Sequence, residues 1–69
     1  MHPVVVDPEI LDGLPVIRGT RVPVQALFDH LEAGDSLEDF LEDFPSVTRE
    51  LAVDVLESSR RSLVESIAR

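Results

Sequence analysis

The stretch PVIRGTRVPV, from Pro15 to Val24, decides the fold of this 69-residue chain. Its β-branched residues flank a Gly19-Thr20 pair, and glycine adopts the positive φ that a tight turn requires, so the stretch predicts two short strands around a turn. Arg18 and Arg21 stand on either side of that turn. In a chain with a formal net charge of −8, they form either a contact surface or a solubilising turn, and the spacing leaves both interpretations open.

Length and composition limit the chain to one small domain that gains stability from a partner chain. A core of this size stabilises weakly, because burial and ordering entropy nearly cancel below roughly 70–80 residues. The absence of cysteine excludes disulfides, and two histidines are too few for a zinc site, so we expect no metal and no cofactor. No apolar run reaches the ~20 residues of a membrane span and no signal peptide is evident, which predicts a cytoplasmic protein.

The charge is spread unevenly along the chain. Residues 24–59 carry ten carboxylates against Arg49 alone, whereas residues 60–69 are net positive, and the chain contains no lysine. An acidic middle of this kind favours a basic protein partner over independent binding of nucleic acid.

Helical periodicity begins directly after the turn. Apolar residues recur with i, i+3, i+4, i+7 spacing over residues 24–31 and again over 37–44, which predicts two amphipathic helices. Gly34 is expected to end the first helix, Ser36 to cap the second, and Pro45 to stop the second.

A third helix is predicted from about Arg49, with Thr48 as its N-cap. The chain is therefore expected to be mainly α, a tri-helical helix-turn-helix preceded by a short N-terminal β-hairpin or β-arm. We divide it into the arm or hairpin (1–23), the three-helix core (24–58) and a C-terminal extension of the third helix (59–69).

An apolar stripe on the third helix continues beyond the predicted core. An apolar stripe that extends beyond the core of its own domain is usually buried against another protein surface. A second copy of the same chain is the simplest candidate. The alternative is a partly frayed tail. The residues expected to form a dimer contact are Leu56, Leu63, Val64 and Ile67.

The second helix is crowded with carboxylates. Like charges recur at i, i+4 spacing, and each such pair costs an isolated helix roughly 0.2–0.5 kcal/mol. The face is either plain solvated surface or a patch for a basic partner; its residues are Glu38, Asp39, Glu42 and Asp43. Since no histidine lies in a motif that would activate a nucleophile and no glycine-rich phosphate loop is present, we expect no enzymatic activity.

The sequence contains features both for and against DNA binding. The third helix begins with Thr48 and Arg49 but offers no Asn, Gln or Lys to read bases in a major groove. Arginines elsewhere could supply phosphate contacts if a dimer gathered them on one side. The candidate DNA-binding residues are Arg18, Arg21, Thr48, Arg49, Arg60 and Arg61.

The runs DPEILDGLPVIRGTRVPV (Asp7–Val24) and LEAGDSLEDFLEDFPSVTRE (Leu31–Glu50) resemble the DUF433 family of small VapB-type antitoxins. The shared pattern is an Asp-Pro turn, a Gly-x-Pro-hydrophobic-Ile-x-Gly-Thr-Arg segment, and a proline turn before a third helix. By this comparison the signature residues are Gly13, Pro15, Ile17, Gly19, Thr20, Arg21 and Pro45.

The resemblance implies a homeodomain-like helix-turn-helix, usually dimeric, that serves as the antitoxin of a type II toxin–antitoxin pair. Such a protein binds and neutralises a PIN-like ribonuclease toxin and assists repression of its promoter. The acidic face of the second helix is the expected toxin-binding surface, because an enzyme that cleaves RNA carries a basic groove. A stand-alone DNA-binding transcriptional regulator and a structural adaptor without either activity are the alternatives.

The signature also bears on the two arginines of the turn. Two roles compete for them: fixing the N-terminal arm against the helices, with Asp29 or Glu32 as candidate partners, or contacting phosphate. We expect the structural role for Arg21, and the role of Arg18 stays open.

Overall fold

The computed structural model describes residues 1–67. Its elements are β1 (Val4–Val5), a short 3-10 turn (Leu11–Gly13), β2 (Val16–Ile17), α1 (Val24–Glu32), α2 (Leu37–Asp43) and α3 (Arg49–Ile67). The expectation of a mainly α, three-helix chain with a short antiparallel β-hairpin at its N-terminal side is confirmed. The last two residues of the predicted extension 59–69 lie outside the described part of the chain.

Strand β2 is paired along both of its edges. Its antiparallel partner is β1, with Val4 opposite Ile17, and on the other edge a single antiparallel bridge joins Val16 to Pro23. The predicted turn around Gly19 therefore forms, but its returning arm contributes one bridge rather than a strand. The more extensive pairing lies with β1, upstream of another turn, which the local turn signals do not specify.

A single core lies where the helices meet β2. Phe40 and Leu27 are fully buried where α1 packs on α2, and Ile17 carries β2 into the same core against α3. The apolar periodicity correctly predicted which face of each helix points inward. The buried residues of this core are Ile17, Val22, Leu27, Phe40, Val47, Ala52 and Val55.

The helix boundaries follow the local signals. Gly34 has a φ of +89° directly after the C-cap of α1, a conformation that costs glycine little. The Ser36 hydroxyl accepts the backbone N–H of Asp39 at 3.1 Å, and the Asp39 carboxylate accepts the backbone N–H of Ser36 at 3.1 Å. This capping box opens α2, and the helix ends at Asp43, shortly before Pro45.

Helix α3 has two halves with different surroundings. Thr48 caps it by accepting the Leu51 N–H at 3.2 Å, and Ala52 and Val55 are fully buried. From Arg60 to Ile67 every residue is exposed. A helix of 19 residues is about 28 Å long, so α3 runs well past the core that anchors it. In the described residues no helix has both the length and the apolar character that crossing a membrane requires.

Candidate interaction surfaces

The Gly-Thr-Arg turn is held together by its threonine. The Thr20 hydroxyl donates to the Ile17 carbonyl at 2.7 Å and accepts the Val22 N–H at 3.0 Å. Gly19 takes the positive φ, +77°, that lets the chain reverse at this point. Two of the three residues of this signature therefore have a structural role in the turn itself.

Arg18 fastens the N-terminal arm to this turn. Its Nε donates to the His2 carbonyl, and its backbone N–H donates to the Pro3 carbonyl at 2.8 Å. Pro3 is buried as a result of this closure. Arg18, whose role the sequence left open, is thus engaged within the fold.

Arg21 does not play the part expected of it. Its side chain is exposed, and among residues 1–67 it forms no ion pair with Asp29 or Glu32. Asp29 instead accepts a hydrogen bond from the Gln25 side chain at 3.0 Å. The pair expected with Asp29 or Glu32 is therefore not formed within residues 1–67, and the Arg21 side chain stays exposed to solvent.

Four exposed carboxylates lie along α2 and form its acidic face, Glu38, Asp39, Glu42 and Asp43. Helical spacing places Glu38 and Glu42 opposite the buried Phe40, and Asp39 and Asp43 along one flank of the helix. Glu38 forms an ion pair with Arg49 at the start of α3, and Asp39 completes the capping box. Asp43 lies 3.6 Å from His30 Nε2. Glu42 alone of the four has no side-chain partner within residues 1–67, so the needs of the fold do not account for it.

His30 joins the end of α1 to α2. Its ring meets Phe40 and Phe44 edge to face, with centroids 5.4 and 5.7 Å away, and its side chain is only 20% exposed. Its Nδ1 lies 3.1 Å from an Asp35 carboxylate oxygen, at ion-pair distance but not aligned for a hydrogen bond. Its position between carboxylates of two segments follows from the packing of α1 on α2, which helical periodicity does not specify.

The candidate DNA-binding residues are mostly engaged within the fold. Thr48 caps α3, Arg49 is paired with Glu38, and Arg60 is paired with Glu57 at 3.0 Å. Of the six candidates, the two exposed arginines without an ion pair in residues 1–67 are Arg21 and Arg61.

The apolar stripe of α3 divides at the edge of the core. Leu56 is partly buried and packs against the core. Leu63, Val64 and Ile67 are 62%, 52% and 75% exposed, so the described chain leaves these three side chains in water. An open row of this length on one helix is typical of a contact surface rather than of scattered surface residues.

A shallow apolar groove lies beside the N-terminal half of α1. It encloses about 200 Å³ and is lined by Leu14, Pro15, Val24, Gln25 and Phe28. Helical periodicity and turn signals do not predict this groove. The available signal was a leucine on each side of the Asp-Gly turn, an apolar pair where a solvated turn would carry polar residues.

The turn that borders this groove has an unusual backbone. Leu11, Asp12 and Gly13 all have positive φ, at 49°, 56° and 85°. Left-handed geometry costs an L-residue roughly 1–2 kcal/mol, and a leucine has no side-chain oxygen to offset it. Leu11 and Leu14 are nevertheless held outward, 41% and 47% exposed.

Comparison with known proteins places the chain among relatives of undetermined activity. A family model described as "Protein of unknown function (DUF433)" matches residues 4–57. An uncharacterized protein, y4eO, of Sinorhizobium fredii is 51% identical over 43 residues, which are 62% of this chain and 20% of that protein. This chain therefore spans about a fifth of the length of that curated relative.

A solved structure has the same fold. The crystal structure of a DUF433 member protein from Anabaena variabilis superposes with a TM-score of 0.70 at 25% sequence identity. The match covers 100% of this chain and 71% of that one.

Proposed function

We propose, on the premise that this chain belongs to the DUF433 family, that it is the antitoxin of a type II toxin–antitoxin pair and neutralises a PIN-like ribonuclease by binding it. The family description names no activity, so the support comes from the surface of this chain and from its resemblance to VapB-type antitoxins.

The observation that carries the proposal is the acidic face of α2. Its four carboxylates, Glu38, Asp39, Glu42 and Asp43, are all exposed. Within residues 1–67 Arg49 is the one arginine paired to them, and His30 approaches Asp43. A ribonuclease must attract a polyanion, and a groove lined by one sign of charge focuses its field on the incoming ligand. A helix face of closely spaced carboxylates offers such a groove the charge pattern of RNA.

The acidic face also costs the fold stability. Glu38 and Glu42, one helical turn apart, repel each other, as do Asp39 and Asp43, by roughly 0.2–0.5 kcal/mol per pair. Glu42 contributes to this cost and has no partner among the described residues that would offset it. Surfaces that serve a partner commonly trade stability in this way.

Two further parts of the proposal rest on other surfaces. The open row of Leu63, Val64 and Ile67 supports a homodimer, since a chain this small gains stability by covering it. Assistance in promoter repression has less support, because Thr48 and Arg49 at the start of α3 already have partners within the fold.

The decisive variant is Glu42→Lys. Removing the repulsion from Glu38 and adding an opposite charge at i, i+4 should leave the chain at least as stable as the parent. Reversing the charge in the middle of the contact should weaken binding of the ribonuclease encoded beside this gene by about tenfold or more. Calorimetric titration and an RNA-cleavage assay measure binding, and thermal melting measures stability.

Asp54→Lys is the matched control, because Asp54 is exposed on α3, outside the acidic face. Unchanged inhibition by both variants, and by the variant with all four α2 carboxylates reversed, would refute the antitoxin role of this face. Binding of the upstream promoter by the chain alone, in a gel shift at physiological salt, would favour the alternative of a DNA-binding regulator.

A further inference from the structure

We infer that the groove beside α1 receives the C-terminal part of α3, residues 60–67, from a second copy of this chain. The inference rests on the homodimer part of the proposed function and specifies which two surfaces meet. It is independent of the acidic face of α2.

The groove has the apolar character of a docking site. Val24 and Phe28 of α1 and Leu14 and Pro15 before β2 supply its apolar lining. The left-handed turn holds Leu11 and Leu14 out toward solvent beside it, at a conformational cost that the fold of one copy does not recover through their burial. Strain retained around exposed apolar side chains points to a function for that turn.

Two carboxylates of α1 lie one helical turn beyond residues that line the groove. Asp29 follows Gln25 by four residues on α1, and Glu32 follows Phe28 by four, so helical spacing places both carboxylates on the side of α1 that lines the groove. Both are exposed, and Asp12 adds a third carboxylate on the strained turn. A fitting occupant therefore carries apolar side chains together with positive charge.

The exposed end of α3 has that composition. One exposed apolar face is formed there by three residues at helical spacing, Leu63, Val64 and Ile67. Arg60 precedes Leu63 by three residues, and Arg61 follows Arg60. An amphipathic helix that places an i, i+3, i+4, i+7 face into an apolar groove is a common mode of protein recognition. Here both complementary surfaces belong to the same chain.

Charge also distinguishes this contact from a parallel pairing of two α3 stripes. The parallel pairing would bring Arg60 and Arg61 of one copy toward the same arginines of the other. Docking of the stripe in the groove brings them toward Asp29 and Glu32 instead. When the α3 end of each copy docks in the groove of the other, the two identical contacts form a closed, two-fold symmetric dimer.

The test uses two complementary variants of the full chain. The first carries Arg60→Glu and Arg61→Glu; the second carries Asp29→Lys and Glu32→Lys. In either variant alone, groove and helix end carry the same sign of charge, so we expect the dimer dissociation constant to rise about tenfold or more. In a mixture, each groove meets a helix end of opposite charge, and a heterodimer should form.

Sedimentation at several protein concentrations, with one variant fluorescently labelled, measures both outcomes. All substituted side chains are exposed, and circular dichroism checks that both variants remain folded. Glu50→Lys with Asp54→Lys, on the half of α3 that packs on the core, is the matched control and should leave the dimer unchanged.

Heterodimers formed only in the mixture support the inference. Unaltered dimers in either variant alone, or a mixture that stays monomeric while the parent chain is dimeric, would overturn the groove contact and leave the homodimer standing. A parent chain that is monomeric at every concentration would refute both the groove contact and the homodimer. The result of the Glu42→Lys assay on the ribonuclease does not depend on either.

Discussion

At the scale of single residues, Thr20 is the side chain on which the N-terminal part of the fold depends most. Its hydroxyl uses both its donor and its acceptor, toward Ile17 and Val22, and so replaces backbone bonds that the tight turn cannot supply. The neighbouring Arg21 makes no such bond within the described residues and is available for contact with another molecule.

Replacing Thr20 with valine keeps the shape of the side chain and removes both hydrogen bonds. We expect a loss of about 1–2 kcal/mol in the free energy of unfolding, because the Val22 N–H loses its partner in a part-buried setting. The melting temperature should fall by about 4–8 °C per kcal/mol. Thr20→Ser, which retains the hydroxyl, should recover most of the loss; a valine variant that melts with the parent would show that the turn does not need the hydroxyl.

At the scale of elements, α2 is the most dependent on its ends. It has only 7 residues, too few to be stable alone, and its outer face is self-repelling. The helical conformation of α2 is therefore stabilised mainly by the Ser36–Asp39 capping box and by the burial of Phe40. The geometry of the acidic face depends on both.

Ser36→Ala should destabilise the chain by about 1 kcal/mol, since the Asp39 N–H then loses its acceptor. Thermal or urea unfolding measures the loss. Ser36→Thr serves as the control, because threonine also caps helices, and should cost less. Equal stability of the alanine variant and the parent would contradict a supporting role for the box.

The elements also show what could and could not be predicted from the sequence. Gly34, Ser36 and Thr48 act within a few residues of their own position, so the helix ends were predicted correctly. The pairing of β2 with β1 joins segments across an intervening loop, and the groove arises only where the Leu11–Gly13 turn meets α1. The ion pairs of Glu38 and the contacts of His30 likewise depend on how helices pack, which periodicity does not specify.

At the scale of the whole molecule, charge is the dominant property. A net charge of −8 on 69 residues keeps the chain soluble but sets its carboxylates against one another in the compact state. The ion pairs of Arg49 and Arg60 offset this only at single points.

Salt should therefore stabilise the chain. Raising NaCl from about 0.01 to 0.15 M shortens the Debye length from about 30 to 8 Å, which screens the repulsion between exposed carboxylates. We expect the melting temperature to rise by several degrees in differential scanning calorimetry. The rise should be smaller in Glu42→Lys, which carries less net charge, and a flat or falling response would contradict a dominant role for repulsion.

The two halves of α3 differ in what their residues contact. Its first half, with Ala52 and Val55, packs in the core, while every residue from 60 to 67 is exposed. In the proposed dimer, substitutions in that second half change which chains associate and leave the buried core of each chain intact. Homologous copies in one cell could thus avoid cross-reaction by diverging over about two helical turns, with the core left intact.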